Sequence, residues 1–163
     1  MTATAAVNGT DSIVKDREEA AAGIIVSAMK WSAAAALVPV PVLDLAALGA
    51  VQARMVIDLS ELYGERVTSQ SARAVVSVLL GSLLPGAAAG AVGASLIKSA
   101  PLVGAVAGAG ALAGFGAAAT YAIGKVFVNH FKGGGTFSTL DGNALKAELA
   151  AEFRKGKSAT AGA

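Results

Sequence analysis

Residues 74–124 read AVVSVLLGSLLPGAAAGAVGASLIKSAPLVGAVAGAGALAGFGAAATYAIG, and Lys98 is the only charge among them. From Ala74 to Ile97 there are 24 uncharged residues, and from Ser99 to Gly124 there are 26. A helix rises about 1.5 Å per residue, so either stretch is long enough to cross a hydrocarbon core of about 30 Å. The break at Lys98 and Pro101 predicts a membrane-inserted helical hairpin, with arms at 74–97 and 101–124. Pro85 and Gly86 sit near the middle of the first arm, where a soluble helix would break; neighbouring helices in a membrane can satisfy the freed carbonyl. The first arm carries ten Val, Ile and Leu residues. The second carries fewer and is dominated by Ala and Gly.

The glycines fall into pairs four residues apart: Gly86 with Gly90, Gly104 with Gly108, Gly110 with Gly114. Such small-xxx-small spacing places both glycines on one helix face, where two backbones can approach closely. A chain this rich in Ala and Gly also generates such pairs by chance. Packing is the expectation adopted, within the hairpin or between copies of the chain.

Outside this segment the composition narrows the class. The chain has 163 residues, 55% of them hydrophobic and 15% charged, with mean hydropathy +0.63. That is one domain's length, and too apolar for a disordered protein. There is no Cys, hence no disulfide framework, Cys-ligated zinc or thiol nucleophile. A net charge of +2 is too small for a general nucleic-acid footprint.

The first half reads as an amphipathic helical pair. Residues 1–11 are small and polar and are expected to be disordered, with a helix capped at Asp11 or Ser12. Ile24, Ala28, Trp31, Ala35 and Val38 form one helical face. Lys30 would be costly at a bilayer centre, and Trp31 beside it suits a helix lying at the interface. Pro39 and Pro41 make a stiff connector. Asp44 follows near the start of the next helix, where its charge suits the dipole. Leu45, Leu48, Gln52, Met55, Leu59 and Leu62 then form an apolar stripe. Gln52 is either a buried amide that fixes register or, as slightly preferred, a residue at the stripe's edge. Arg54 and Asp58 are spaced for an i,i+4 pair on the other side, and Gly64 is a plausible stop.

After the hairpin, Gly133, Gly134 and Gly135 end a helix. Thr136 to Leu140 reads as a short extended piece. A short last helix carries Leu145, Leu149 and Phe153 and closes at Gly156, before a flexible tail over 157–163. The expected architecture is all-α. It comprises an amphipathic pair, an apolar Gly/Ala-rich transmembrane hairpin and a short C-terminal helix, in one domain over residues 12–156.

Catalytic patterns are lacking. Gly108 and Gly110 start a dinucleotide-like fingerprint, but position 113 is Ala and no strand precedes it. Gly124-Lys125 lacks the upstream glycine spacing of a phosphate loop. His130 has no partners for metal binding or nucleophilic catalysis and reads as structural. Asp44, Asp58, Glu61 and Glu65 read as a solvated face. No enzyme and no cofactor are expected.

Leu37-Val38-Pro39-Val40-Pro41 with Asp44-Leu45, then Gln52, Met55 and Leu62-Tyr63-Gly64, form a recognisable series. Gly124-Lys125-Val126-Phe127, His130-Phe131 and Gly133-Gly134-Gly135-Thr136-Phe137 extend it. With these residues the chain resembles the YcjF-like membrane domains of unknown function, often found attached to small GTPase domains. The likeness covers roughly residues 20–156. It implies a helical, membrane-associated domain without an assigned catalytic residue. Because this chain carries no GTPase domain, it also implies a GTPase partner in trans.

The leading functional expectation is a non-enzymatic helical membrane protein that self-associates and acts as organiser, anchor or adaptor. One alternative is a pore, although the arms offer no charged ring for selectivity. Another is a soluble helical homo-oligomer that buries its apolar helices in protein. Arg66 and Arg73 before the hairpin, and Lys125 and Lys132 after it, outnumber Lys98 in the turn. The positive-inside rule then places both termini in the cytoplasm, on a bacterial inner or intracellular membrane. The residues after Met1 show no secretory signal pattern.

Overall fold

The computed structural model describes residues 3–35, 43–95 and 101–161. Pro39, Pro41 and Lys98 lie outside them. Five α-helices follow in order: α1 (Ala3–Ala35), α2 (Leu43–Leu62), α3 (Ser69–Ser95), α4 (Pro101–Lys132) and α5 (Gly142–Ala161). A single 3-10 turn, Phe137–Thr139, precedes α5, where an extended piece was expected. Among the described residues there is no strand.

The C-terminal half of α4 is the axis of the core, with α1, α2 and α5 packed around it and α3 against α2. Ala118, Ala119, Ala122, Ile123, Val126 and Phe127 are fully buried. The alanines let neighbouring helices come close, and Ile123, Val126 and Phe127 fill the space between them. A side chain the size of Phe127 contributes about 1.5–3 kcal/mol when fully removed from water. From α2 come Leu48, Gln52, Met55, Val56 and Leu59; from α3, Val76, Leu79, Leu80 and Leu83; from α5, Leu145 and Leu149.

Several boundaries differ from the sequence reading. α1 begins at Ala3, upstream of the cap expected at Asp11 or Ser12. Its early alanines favour helix at least as strongly as a capping residue favours a start. Its buried face is also different. Ala21, Ile25, Ala28 and Ser32 point inward, while Ile24 is half-buried and Trp31 is 67% exposed. The last helix is not short: α5 has 20 residues and continues through Gly156, which is buried against α4 rather than ending the helix. The stop at Gly64 is where it was expected, with α2 ending at Leu62 and Gly64 at φ +83°.

The two uncharged arms are not uniform along their length. In the first, Val76, Leu79, Leu80 and Leu83 belong to the protein core. In the second, Gly116 to Gly124 is surrounded by protein, whereas Gly110 and Ala111 are exposed. The helical backbone of α3 passes through Pro85, whose ring nitrogen cannot donate to the Gly81 carbonyl. Among the described residues, no helix is long and apolar enough to cross a membrane.

Candidate functional site

Two turns of α4, Phe115 to Tyr121, organise the end of the bundle from which the arm emerges. Gly116 is their closest approach to α1 and α2. A Cβ placed there would lie 3.4 Å from Leu48 Cδ1 and 3.5 Å from the Ser32 carbonyl oxygen. One turn later Thr120 is fully buried, and its hydroxyl gathers three groups. Thr120 Oγ1 donates to the Gly116 carbonyl at 2.8 Å. That uses its one proton, so it accepts from Ser32 Oγ at 2.7 Å and from Gln52 Nε2 at 3.3 Å. Three helices are thereby joined at one oxygen. Gln52 is not at the stripe's edge but fully buried, and its Oε1 has no protein partner among the described residues.

The next turn repeats the close approach. A Cβ on Gly124 would meet Ile25 Cγ1 at 2.6 Å and Met55 Sδ at 3.2 Å. On the other side α5 reaches α4 through Gly156, where a Cβ would lie 3.0 Å from the Ala118 carbonyl oxygen. Phe153 meets Phe115 edge-to-face at 5.5 Å. Glu152, 6% exposed, is the carboxylate on this buried stripe of α5. Its Oε1 pairs with Lys155 Nζ at 2.6 Å, which holds the Lys155 ammonium above its usual range, while Oε2 is without a partner among the described residues.

Of the glycines read as packing positions, Gly110 and Gly114 have nothing within 4 Å of a Cβ position. Among the described residues they make no close contact. Gly86, Gly90, Gly104 and Gly108 lie on helical backbone, and their surroundings fall outside the described residues. Asp44 is in the first turn of α2, with its surroundings likewise not described. The glycines that do pack, Gly116, Gly124 and Gly156, were missed as sites. The signal was present, since Gly116, Thr120 and Gly124 form the same small-xxx-small series.

The opposite end of the bundle is tied by charge and aromatic contact. Lys132 Nζ pairs with Glu18 Oε1, holding the Glu18 carboxyl below and the Lys132 ammonium above their ordinary values. Arg17 lies over the Tyr63 ring at 5.6 Å, and that ring stacks on Phe131. Burial pushes the Tyr63 phenol up. Half-buried His130 donates through Nε2 to the Thr136 carbonyl at 2.8 Å, so its role is to hold the Gly-Gly-Gly-Thr turn. Gly134 takes φ +78°, and a Cβ on Gly135 would overlap the His130 ring. The Arg54–Asp58 pair forms as spaced, at 2.9 Å. Among the described residues no cluster of His, Asp and Glu is arranged to hold a metal ion.

The chain is 40% identical over 128 residues to "Magnetosome membrane protein 22" of Magnetospirillum gryphiswaldense. The aligned region is 78% of this chain and 66% of the relative, just under two thirds of the relative's length. No solved structure matches. The family described as "Domain of unknown function (DUF697)", the YcjF-associated family, matches residues 2–157. With nearly its whole length matched, the chain belongs to that family.

Proposed function

We propose that this protein is a non-enzymatic membrane organiser or anchor, with a protein-packed body and an arm, uncharged but for Lys98 at its turn, that enters the bilayer and self-associates there. The observation that carries the proposal is the change in α4 at Phe115. Beyond it, from Gly116 to Val128, all residues but Tyr121 and Lys125 are buried; before it Gly110 and Ala111 are exposed, and the sequence has no charge back to Pro101. The relative named as a magnetosome membrane protein supports a membrane setting.

Length refines the insertion. Beyond the packed body, residues 84–95 and 101–114 rise about 18 Å and about 21 Å as helices. A hydrocarbon core is about 30 Å thick. The arm therefore enters from one side as a wedge, with the body and both termini on the cytoplasmic face of an inner or intracellular membrane. In lipid the pair Gly110 and Gly114, with the pair Gly104 and Gly108 on a second face of α4, supply the close contact between copies. A GTPase partner in trans, implied by the family resemblance, would supply any nucleotide hydrolysis the assembly needs.

Extraction of membranes with alkaline carbonate tests the first part: the chain stays with the pellet, and release into the supernatant would overturn insertion. Sedimentation in mild detergent tests the second. Gly110→Leu with Gly114→Leu lowers the oligomer fraction while the helical circular dichroism is kept. An unchanged oligomer fraction would remove these glycines from the interface.

A further inference from the structure

The arm leaves the body between two sets of cations. At the C-terminal end of α1, Ser32 is bonded to Thr120, so its chain neighbours Lys30 and Trp31 lie level with that turn of α4. Both are exposed. At the C-terminal end of α5, the Phe153–Phe115 contact and the approach of Gly156 to Ala118 bring Arg154, Lys155 and Lys157 to the same level. These three are exposed as well. The acidic residues at this end are Glu152, paired with Lys155, Glu148 one turn earlier on α5, whose charge also acts on Lys155, and, by backbone position, Asp44 in the first turn of α2. The other acidic residues of α1 and α2 lie toward the far end: Asp11, Asp16, Glu18 and Glu19 on the first half of α1, and Asp58, Glu61 and Glu65 at the close of α2. Arg17 over Tyr63 fixes that end as the opposite one.

We propose that Lys30, Arg154, Lys155 and Lys157, with Trp31 and Phe153, form a collar that binds the headgroups of an anionic phospholipid bilayer around the inserted arm. This rests on the membrane reading above and adds the lipid chemistry. Two features select the occupant. The collar is continuous with an arm uncharged but for Lys98, and lipid is the partner that offers a hydrocarbon phase next to a layer of negative charge. Its composition also matches the interface, where Trp rings sit at headgroup depth and Lys and Arg extend toward phosphate. On this assignment the boundary cations are those of α1 and α5. They are not Lys125 and Lys132, which lie along the packed half of α4, with Lys132 engaged by Glu18.

Trp31 is the single tryptophan of the chain and reports on the site without a label. The full-length protein is added to vesicles of phosphatidylcholine alone, or of phosphatidylcholine mixed with phosphatidylglycerol. Trp31 emission and quenching by brominated lipid are recorded. Wild type binds the anionic vesicles more tightly, its emission shifts to the blue, and the preference shrinks as salt is raised. Each cation near an anionic surface is worth about five-fold in binding, so Lys30→Gln with Arg154→Gln and Lys157→Gln weakens it on the order of 100-fold. This variant leaves the Lys155–Glu152 pair intact. A control with the same charge change at the far end, Lys15→Gln with Arg66→Gln and Arg73→Gln, keeps the wild-type affinity.

Equal loss in both variants would reduce the effect to net charge and overturn the collar. Equal binding of wild type to both vesicle types would also overturn it while leaving membrane insertion standing. Binding to neither would overturn the collar and the membrane reading together.

Discussion

Two groups of glycines on the same helix do opposite things. Gly116 and Gly124 are where α4 is gripped: a Cβ at Gly116 would already touch Leu48 and the Ser32 carbonyl, and none fits at Gly124 without moving Ile25. At Gly110 and Gly114, less than two turns before Gly116, a Cβ would meet nothing among the described residues. All four carry the same spacing signal in the sequence. The difference lies in what faces them. α1 and α2 reach Gly116 and Gly124, and neither brings a close contact to Gly110 or Gly114. A small-xxx-small series states that something can come close; the fold decides whether that partner is the same chain.

The contrast is sharpest on substitution. Gly124→Leu forces a branched side chain against Ile25 Cγ1 and Met55 Sδ, and overpacking of that kind costs about 3 kcal/mol. The midpoint of chemical or thermal unfolding in detergent is expected to fall accordingly. A wild-type midpoint would mean that α1 does not close on α4 at this turn. Thr120→Val comes next. It keeps the shape but removes the acceptor shared by Ser32 and Gln52, and buried polar groups left unpaired cost about 1–3 kcal/mol. Adding Ser32→Ala and Gln52→Leu to Thr120→Val is expected to recover stability, because the orphaned groups are then gone.

The open glycines behave with the opposite sign. Gly114→Ala is expected to stabilise the isolated chain by up to about 1 kcal/mol, since Ala is the better helix former and the space is free. Loss of stability in the oligomer beside a gain in the monomer would identify Gly114 as a contact between copies.

The smallest effect is at the far end, where the Lys132 ammonium holds the Glu18 carboxyl below its ordinary value. A depressed carboxylate contributes stability above the ordinary carboxylate range and loses it as pH falls through its folded-state value. Thermal scans of wild type and Glu18→Gln are therefore expected to differ slightly near neutral pH and to converge in acid. Both groups are exposed, so salt reduces the difference.

The sequence made α2 legible because its stripe is sharp: Leu48, Met55 and Leu59 are large, evenly spaced and buried. It made the loop at Gly133–Gly135 legible because only glycine takes the φ found at Gly134 without strain. The face of α1 was not legible. Alanines surround that helix, so several faces are nearly equal in hydropathy, and large Trp31 outweighs small Ser32 in any local pattern. What turns Ser32 inward is the hydroxyl of Thr120, 88 residues away. The site at Gly116, Thr120 and Gly124 was hidden for a related reason. Reading 101–124 as one lipid-facing span gave every glycine in it the same role, although the core encloses the second half. Gln52 was balanced between two roles because the partner that buries it, Thr120, belongs to that same segment.

Chemical depth is the most direct test of the division at Phe115. The chain has no Cys, so a single introduced thiol carries the only label. A nitroxide at Ala111, exposed on the emerging half of α4, is compared in bilayers with one at Ala147, exposed on α5 of the body. The division predicts that Ala111 relaxes with dissolved oxygen and is shielded from a water-soluble nickel chelate, and that Ala147 shows the reverse. Equal access of the chelate to both positions would contradict it.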